Sequence, residues 1–336
     1  MARLTLGTSV ETLPLSAPFR ISGYVFEAAD CVLVTLDDGE HRGRGEASGV
    51  YYLGDDVPNM LAAIEAARDA IEAGVSREEL RAIMPAGGGR NAVDAALWEL
   101  ESKQTGRPIW ELAGLDAPRP LITTFTLGAD DPDVMAKGAI AFDHARSIKI
   151  KLTGDLDLDI ARVKAIRAAR PDVWLGVDGN QGFVIADLDA LVAAMVECDV
   201  SLIEQPLKRG READLEGYVS PIPIAADESA LTLADVPGLV GRFDVFNIKL
   251  DKCGGLTEGL LIAKAAHAAG LDVMVGNMVC TSLGMAPGFL LGQVCDINDL
   301  DGPIFLKQDR KPGILYRDGT AWCDEKVWGA ERPVAA

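Results

Sequence analysis

From Leu121 onward the chain alternates short apolar runs with helical segments, and this alternation restricts its fold more than any other feature. The apolar runs cover 121–127, 148–152, 173–177, 201–203, 222–226, 245–250, 272–275 and 294–297. Helical patterns at 158–169, 188–198, 257–269 and 283–293 separate most of them, while the fifth-to-sixth link, 231–240, is shorter and holds Pro237. Strands and helices alternating at this spacing build parallel βαβ units. Eight such strands predict a closed α/β barrel of the TIM type rather than an open sheet. No sequence repeat or low-complexity segment accompanies the alternation.

The first section is patterned differently. Residues 2–6 and 30–36 read as strands, 43–46 as a turn-rich segment, and 59–73 and 91–104 as helices, the second stopping at Thr105-Gly106. The tail from Pro312 has no barrel pattern, and its stretch 313–316 is expected to return to the first section. The chain therefore divides into 1–120, 121–311 and 312–336. Apolar residues make up 49% of it, enough for a sizeable core. No run reaches the roughly 18 apolar residues that a membrane span needs. The N-terminus alternates apolar and polar residues and lacks a secretory signal's basic start and apolar block, so a cytoplasmic protein is expected. Six scattered cysteines without a C-x-x-C pair fit free thiols in a reducing compartment, and three histidines argue against a His-built metal site. A net charge of −19 disfavours nucleic acid and anionic membranes as partners. A small-molecule substrate and a homo-oligomeric assembly are expected.

In a (β/α)8 enzyme the chemistry sits at the C-terminal ends of the strands. Here the second strand ends in Lys149-Ile150-Lys151, the third in Asp178-Gly179-Asn180, the fourth in Glu204-Gln205-Pro206 and the fifth in Asp227-Glu228-Ser229, and the sixth carries Lys249. Side chains alternate along a strand, so Lys149 and Lys151 share one face, as do Asp178 and Asn180. Asp178, Glu204 and Asp227 thus arrive at similar depth from three successive strands. Three hard oxygen ligands suit Mg²⁺ and leave positions open for a substrate carboxylate and water; without a cation they repel one another. Lys151 and Lys249 flank this set from nearly opposite sides of the barrel. To act as a base near neutrality, a lysine must have its pKa of about 10.4 lowered, at a cost of about 4 kcal/mol. A divalent cation and the second ammonium of the Lys149/Lys151 pair both push it down.

In this order the motifs resemble the enolase superfamily, in its muconate-lactonizing-enzyme subgroup. The likeness runs along nearly the whole chain: an N-A-V-D-A-A-L-W-E-L helix followed by Gly106-Arg107-Pro108, then K-I-K, D-G-N, E-Q-P, D-E-S, N-I-K-L-D-K-C-G-G and V-G-N-M. It implies a modified (β/α)7β barrel, with an N-terminal α+β capping domain that the C-terminal tail completes. It assigns Mg²⁺ to Asp178, Glu204 and Asp227 and the acid/base pair to Lys151 and Lys249, with the substrate carboxylate on the metal and an enediolate intermediate. The His–Asp dyad of the mandelate-racemase-like and sugar-acid dehydratase branches is missing. His41, His144 and His267 lie in the cap or on predicted helices, and the seventh strand ends in Asn277.

After Cys295-Asp296 comes Asp299-Leu300-Asp301, a D-x-D similar to that of the dipeptide epimerases, where both carboxylates hold the free ammonium of the substrate. An ammonium has three donors, which two same-face carboxylates can accept. The resemblance therefore implies 1,1-proton transfer on a dipeptide, with Lys149 and Asn180 also at the substrate. N-acylamino-acid racemase, o-succinylbenzoate synthase and muconate cycloisomerase share these residues, and a barrel that only binds its ligand is an alternative of a different class. Family members that epimerise Ala-Glu carry an arginine near the place of Tyr24 or Phe26. Here the cap loops offer Tyr24, Phe26, Tyr51, Tyr52 and Leu53, with Arg20 the nearby cation, and predict apolar or aromatic second residues over acidic ones; Asp55 and Asp56 are the alternative, for a basic side chain, against their reading as a solvated turn.

Overall fold

A computed structural model describes residues 3–21 and 23–330. The chain opens with a long antiparallel hairpin of β1 (Thr5–Ile21) and β2 (Tyr24–Asp37), to which β3 (Arg42–Ala47) adds on the far side of β2. Both hairpin strands outrun the segments expected at 2–6 and 30–36. Their outer halves bury only one side: Leu13, Leu15 and Cys31 pack against Leu306 beyond the barrel strands. The inner half has its own core, in which Leu6, Val32 and Val34 meet Ala92, Val93 and Ala96 of helix Gly88–Thr105. Strand and helix approach closely there because β3 carries glycine. A Cβ on Gly43 would lie 2.0 Å from the carbonyl oxygen of Ala96, and one on Gly45 1.9 Å from that of Ala92. The helix expected over 59–73 is broken into Val57–Ala66 and Arg68–Glu72.

The barrel strands follow. The run expected at 121–127 splits at Thr123 into β4 (Leu121–Ile122) and β5 (Thr124–Leu127). Then come β6 (Ser147–Lys151), β7 (Trp174–Asp178), β8 (Leu202–Glu204), β9 (Ile224–Ala226), β10 (Val245–Lys249), β11 (Asp272–Gly276) and β12 (Ile297–Asn298). Strands β5 to β12 form one eight-stranded sheet in chain order, every neighbouring pair parallel. The expected helices are present, joined by Pro132–Ala141, which starts on an Asp131-Pro132 pair and was not read from the sequence. Leu202, Ala225, Val245 and Met274 cluster inside the barrel. By strand alternation they share a face with Glu204, Asp227 and Lys249, so they fill the space beneath the polar residues.

Side chains bridge β5 to the end of β12. Asp301 Oδ2 accepts from the Thr126 amide at 2.7 Å, the Leu300 amide donates to Thr123 Oγ1 at 2.8 Å, and the Thr124 hydroxyl donates to Asp299. The tail forms β13 (Leu315–Arg317) and β14 (Thr320–Trp322), an antiparallel pair of which β14 pairs antiparallel with β4. Contact with the cap is made further on, where Trp328 Nε1 donates to the Ala95 carbonyl at 3.2 Å and Arg44 donates to the Val327 carbonyl at 2.9 Å. No helix among the described residues is long and apolar enough to cross a membrane.

Cap and barrel are fastened by buried polar groups. Asp251 Oδ1 accepts the amides of Ser48 and Gly49 at 2.9 and 3.1 Å, and the Thr257 hydroxyl donates to Asp94 at 2.5 Å. The buried Arg90 guanidinium donates to the carbonyls of Gly254 at 3.1 Å, Met84 at 3.2 Å and Cys253. Arg90→Leu leaves those carbonyls dry and unpaired. It is expected to lower the unfolding free energy by about 3 kcal/mol, read as a lower urea midpoint at unchanged slope.

Candidate active site

Strand alternation in β6 to β10 turns one set of side chains into the barrel mouth, and the result is one dense ionic cluster. The ligand oxygens of Asp178, Glu204 and Asp227 all lie within 4.8 Å of one another, and all three residues are buried. Lysines surround them. Lys151 Nζ donates to Asp178 Oδ2 at 2.5 Å and Lys249 Nζ to Asp227 Oδ2 at 2.7 Å. Lys149 Nζ sits 2.7 Å from Glu204 Oε2, 2.8 Å from Asp299 Oδ2 and 3.3 Å from Asp178 Oδ2. Strands β7, β8 and β9, which lead into the three carboxylates, lie between the strands bearing Lys151 and Lys249.

The donor set fits a hard divalent cation. All three ligands are carboxylate oxygens on rigid strand ends, and the buried Glu204 Oε2 is met by the Lys149 ammonium at 2.7 Å outside hydrogen-bonding geometry. Burial, with the Asp178 charge beside it, pushes the Glu204 carboxyl above its ordinary range. Burial presses Lys249 down, but the Asp227 carboxylate outweighs it and holds the amine above its ordinary value.

Sequence inspection missed three supporting groups. Lys252, one turn beyond Lys249, is buried and donates all three of its hydrogens: to Asp227 Oδ1 at 2.6 Å, the Asp227 carbonyl at 2.7 Å and the Asn247 carbonyl at 2.9 Å. Asn247 Nδ2 donates to Glu204 Oε1 at 3.0 Å, and its place two residues before Lys249 was a readable signal for this. Gln205 Oε1 accepts the amides of Asp227 and Ser229 at 2.9 and 3.1 Å, fixing the turn after β9.

Above the cluster, a cavity of about 350 Å³ runs up to the cap, and Lys149, Lys151, Asn180, Asp227, Lys249, Asp299 and Asp301 line its floor. Asn180, in left-handed backbone at φ 41°, leaves its Oδ1 buried and unpaired. Asp299 is fully engaged, by Lys149 on one oxygen and Thr124 on the other. Asp301 gives one oxygen to the Thr126 amide, and burial beside the Asp299 charge raises its carboxyl. Of the cap residues, Phe26, Tyr51 and Tyr52 line the cavity, whereas Arg20 and Tyr24 do not. The hairpin register explains Arg20. Phe19 is paired with Phe26 and both line the cavity, so Arg20, paired with Val25, projects from the other face. Tyr24 lies at the hairpin tip, 47% exposed, and reaches the cavity only through its rings' contacts with Phe26 and Tyr51, at 6.0 and 4.6 Å between centroids.

Residues 134–307 match the model of the enolase C-terminal domain-like family, and residues 5–114 that of the mandelate racemase / muconate lactonizing enzyme N-terminal domain. The chain is 37% identical to the L-Ala-D/L-Glu epimerase of Escherichia coli, over 92% of its own length and 96% of the relative's. It belongs to the dipeptide-epimerase branch of the enolase superfamily. Another member related to it is the N-acetyl-D-glutamate racemase of a Pseudoalteromonas species, 42% identical over 72% of this chain and 76% of that one. Two solved structures of the superfamily superpose on it closely. An enolase family member from Agrobacterium tumefaciens with homology to dipeptide epimerases, holding sodium and L-Ala-L-Glu, gives a TM-score of 0.92 at 37% identity, covering 97% of this chain and 100% of that one. The dipeptide epimerase of Enterococcus faecalis, complexed with Mg and L-Leu-L-Tyr, gives 0.90 at 29% identity, covering 98% of each.

Proposed function

We propose that this protein epimerises dipeptides at the Cα next to the free carboxylate, by 1,1-proton transfer between Lys151 and Lys249. One observation carries the reading: two amines stand on opposite sides of a buried carboxylate triad, in one cavity that ends at Asp299 and Asp301. Asp178, Glu204 and Asp227 would hold Mg²⁺, whose charge steadies a substrate carboxylate and the negative charge that develops on it. One lysine, neutral, takes the Cα proton; the electron pair of the broken C–H bond moves into the carboxylate, giving an enediolate. The other lysine, protonated, returns a proton to the opposite face as the pair comes back to carbon. Lys149 ties Glu204 to Asp299, and Lys252 holds Asp227 in place from behind.

A second reading, racemisation of N-acyl amino acids, draws on the prior engagement of Asp299 by Lys149 and Thr124. With Asp299 so occupied, Asp301 is left with one oxygen outside the β5 contact to take an ammonium. The dipeptide reading fits better, because an ammonium offsets the buried Asp301 beside the Asp299 charge, which an acyl group leaves without a further cation.

Pooled L,L-dipeptides incubated with the Mg²⁺-loaded protein in deuterium oxide are expected to gain one mass unit in a subset, while N-acetyl and N-succinyl amino acids stay unlabelled. Asp301→Leu is expected to remove the labelling of dipeptides while Mg²⁺ still binds. Labelling of N-acyl amino acids, with none of any dipeptide, would transfer the assignment to the racemase reading.

A further inference from the structure

The cap side of the cavity carries a one-sided charge. The cations among its lining residues are Lys149, Lys151 and Lys249, each in contact with a carboxylate of the floor. The acids that line the cavity from the cap are Asp30, Asp55 and Asp56, and Glu228 joins them from the turn after β9, next to Asp227. The three acids of the cap each accept a local hydrogen bond: Asp30 from the Thr12 hydroxyl at 2.6 Å, Asp55 from the Gly88 amide at 2.6 Å and Asp56 from the Asn59 amide at 3.0 Å. Their charge remains. Glu228 differs, being 2% exposed with Oε2 buried and unpaired, and the Tyr52 hydroxyl of the same cavity also lacks a partner.

Phe26, Ala28 and Asp30 share one face of β2 by alternation and line the cavity, as does Ala29 between the last two. A long side chain laid along this face meets an aromatic ring first, then the small Ala28, then a carboxylate. Tyr51 packs edge-on to Phe26 at 5.3 Å between centroids and completes the aromatic wall. An apolar stem with a cationic head matches that order, since aromatic faces attract cations and carboxylates pair with them. A carboxylate head would enter among four acids with no arginine to receive it.

We propose that the residue epimerised by this protein carries a basic side chain, lysine or arginine, whose stem lies on the Phe26–Tyr51 wall and whose head is received by Asp30 and the acids around it. This rests on the proton transfer proposed above and concerns only the side chain at the reacting carbon. The test compares kcat/KM for L-Ala-L-Lys, L-Ala-L-Met and L-Ala-L-Glu on the Mg²⁺-loaded protein. Lysine is expected to exceed methionine, of similar length but neutral, by about tenfold, and glutamate by more. Asp30 is exposed, so Asp30→Arg is expected to fold; it should cut the lysine-to-methionine ratio by about tenfold and raise turnover of L-Ala-L-Glu. The proposal falls if glutamate matches or exceeds lysine in the unaltered protein, or if Asp30→Arg leaves the lysine-to-methionine ratio where it was. Should dipeptides fail altogether while N-acyl amino acids react, the same ratio measured with Nα-acetyl-lysine, Nα-acetyl-methionine and N-acetyl-glutamate decides it. In that case the dipeptide reading alone is lost.

Discussion

Lys151→Ala and Lys249→Ala are each expected to lower epimerisation by about 10³-fold or more, while each variant still exchanges the Cα proton of one stereoisomer with solvent deuterium. The asymmetry follows from placement. The two amines belong to β6 and β10, with the carboxylate strands between them, so each reaches one face of a substrate held by its carboxylate. Removing one leaves the other able to take a proton from its own face and return a solvent-derived one to that face. Inversion needs both. A synthase or cycloisomerase would depend on one lysine for its proton step and use the other mainly as a cation. The measurement is deuterium wash-in for each stereoisomer separately, alongside polarimetry for inversion. Full epimerisation by either variant contradicts the roles assigned here. Because each lysine also pairs with a carboxylate of the triad, at 2.5 Å to Asp178 and 2.7 Å to Asp227, Mg²⁺ binding has to be measured on both variants. Loss of exchange from both stereoisomers together with loss of Mg²⁺ would report damage to the metal site and not removal of a base.

What could be read from the sequence was whatever a two-residue period dictates. The apolar runs gave the barrel because each strand, buried on both faces, stands out against amphipathic helices. The same period put Lys149 with Lys151 and lined up Asp178, Glu204 and Asp227, and the structure brings these groups into one cluster. Parity within one strand needs no knowledge of the partner strand. Pairing between strands does, and that is where reading failed. Arg20 and Phe26 were grouped as one loop, but the hairpin register sets Arg20 opposite Val25 and sends it away from the cavity. The strand character of the outer half of β1 was hidden by Pro14 and Pro18 and by a register shift between Pro14 and Phe19. Lys252 went unnoticed because its partners, the Asp227 side chain and two carbonyls, are tertiary neighbours. The double engagement of Asp299 was equally invisible, since Thr124 and Lys149 come from strands far away in sequence.

Chelation is expected to abolish turnover, and added Mg²⁺ to restore it, with a matching change in stability that does not depend on catalysis. An ion that binds the folded state alone stabilises it, by about 2.7 kcal/mol at one hundred times its dissociation constant. Thermal unfolding of the stripped protein should therefore shift upward as Mg²⁺ is added. Glu204→Gln is the variant that isolates the effect. It removes one hard ligand while Lys149 keeps Asp299 at 2.8 Å and Asp178 at 3.3 Å as partners. Asp227→Asn is less informative. Asp227 is buried and pairs with both Lys249 and Lys252, at 2.7 and 2.6 Å, so neutralising it leaves two ammoniums short of charge. Glu204→Gln should unfold close to the stripped parent, lose the Mg²⁺-dependent shift and fall by at least about 10³-fold in turnover. Undiminished turnover in the stripped protein, or a full Mg²⁺ shift in Glu204→Gln, would remove the carboxylate triad from the mechanism.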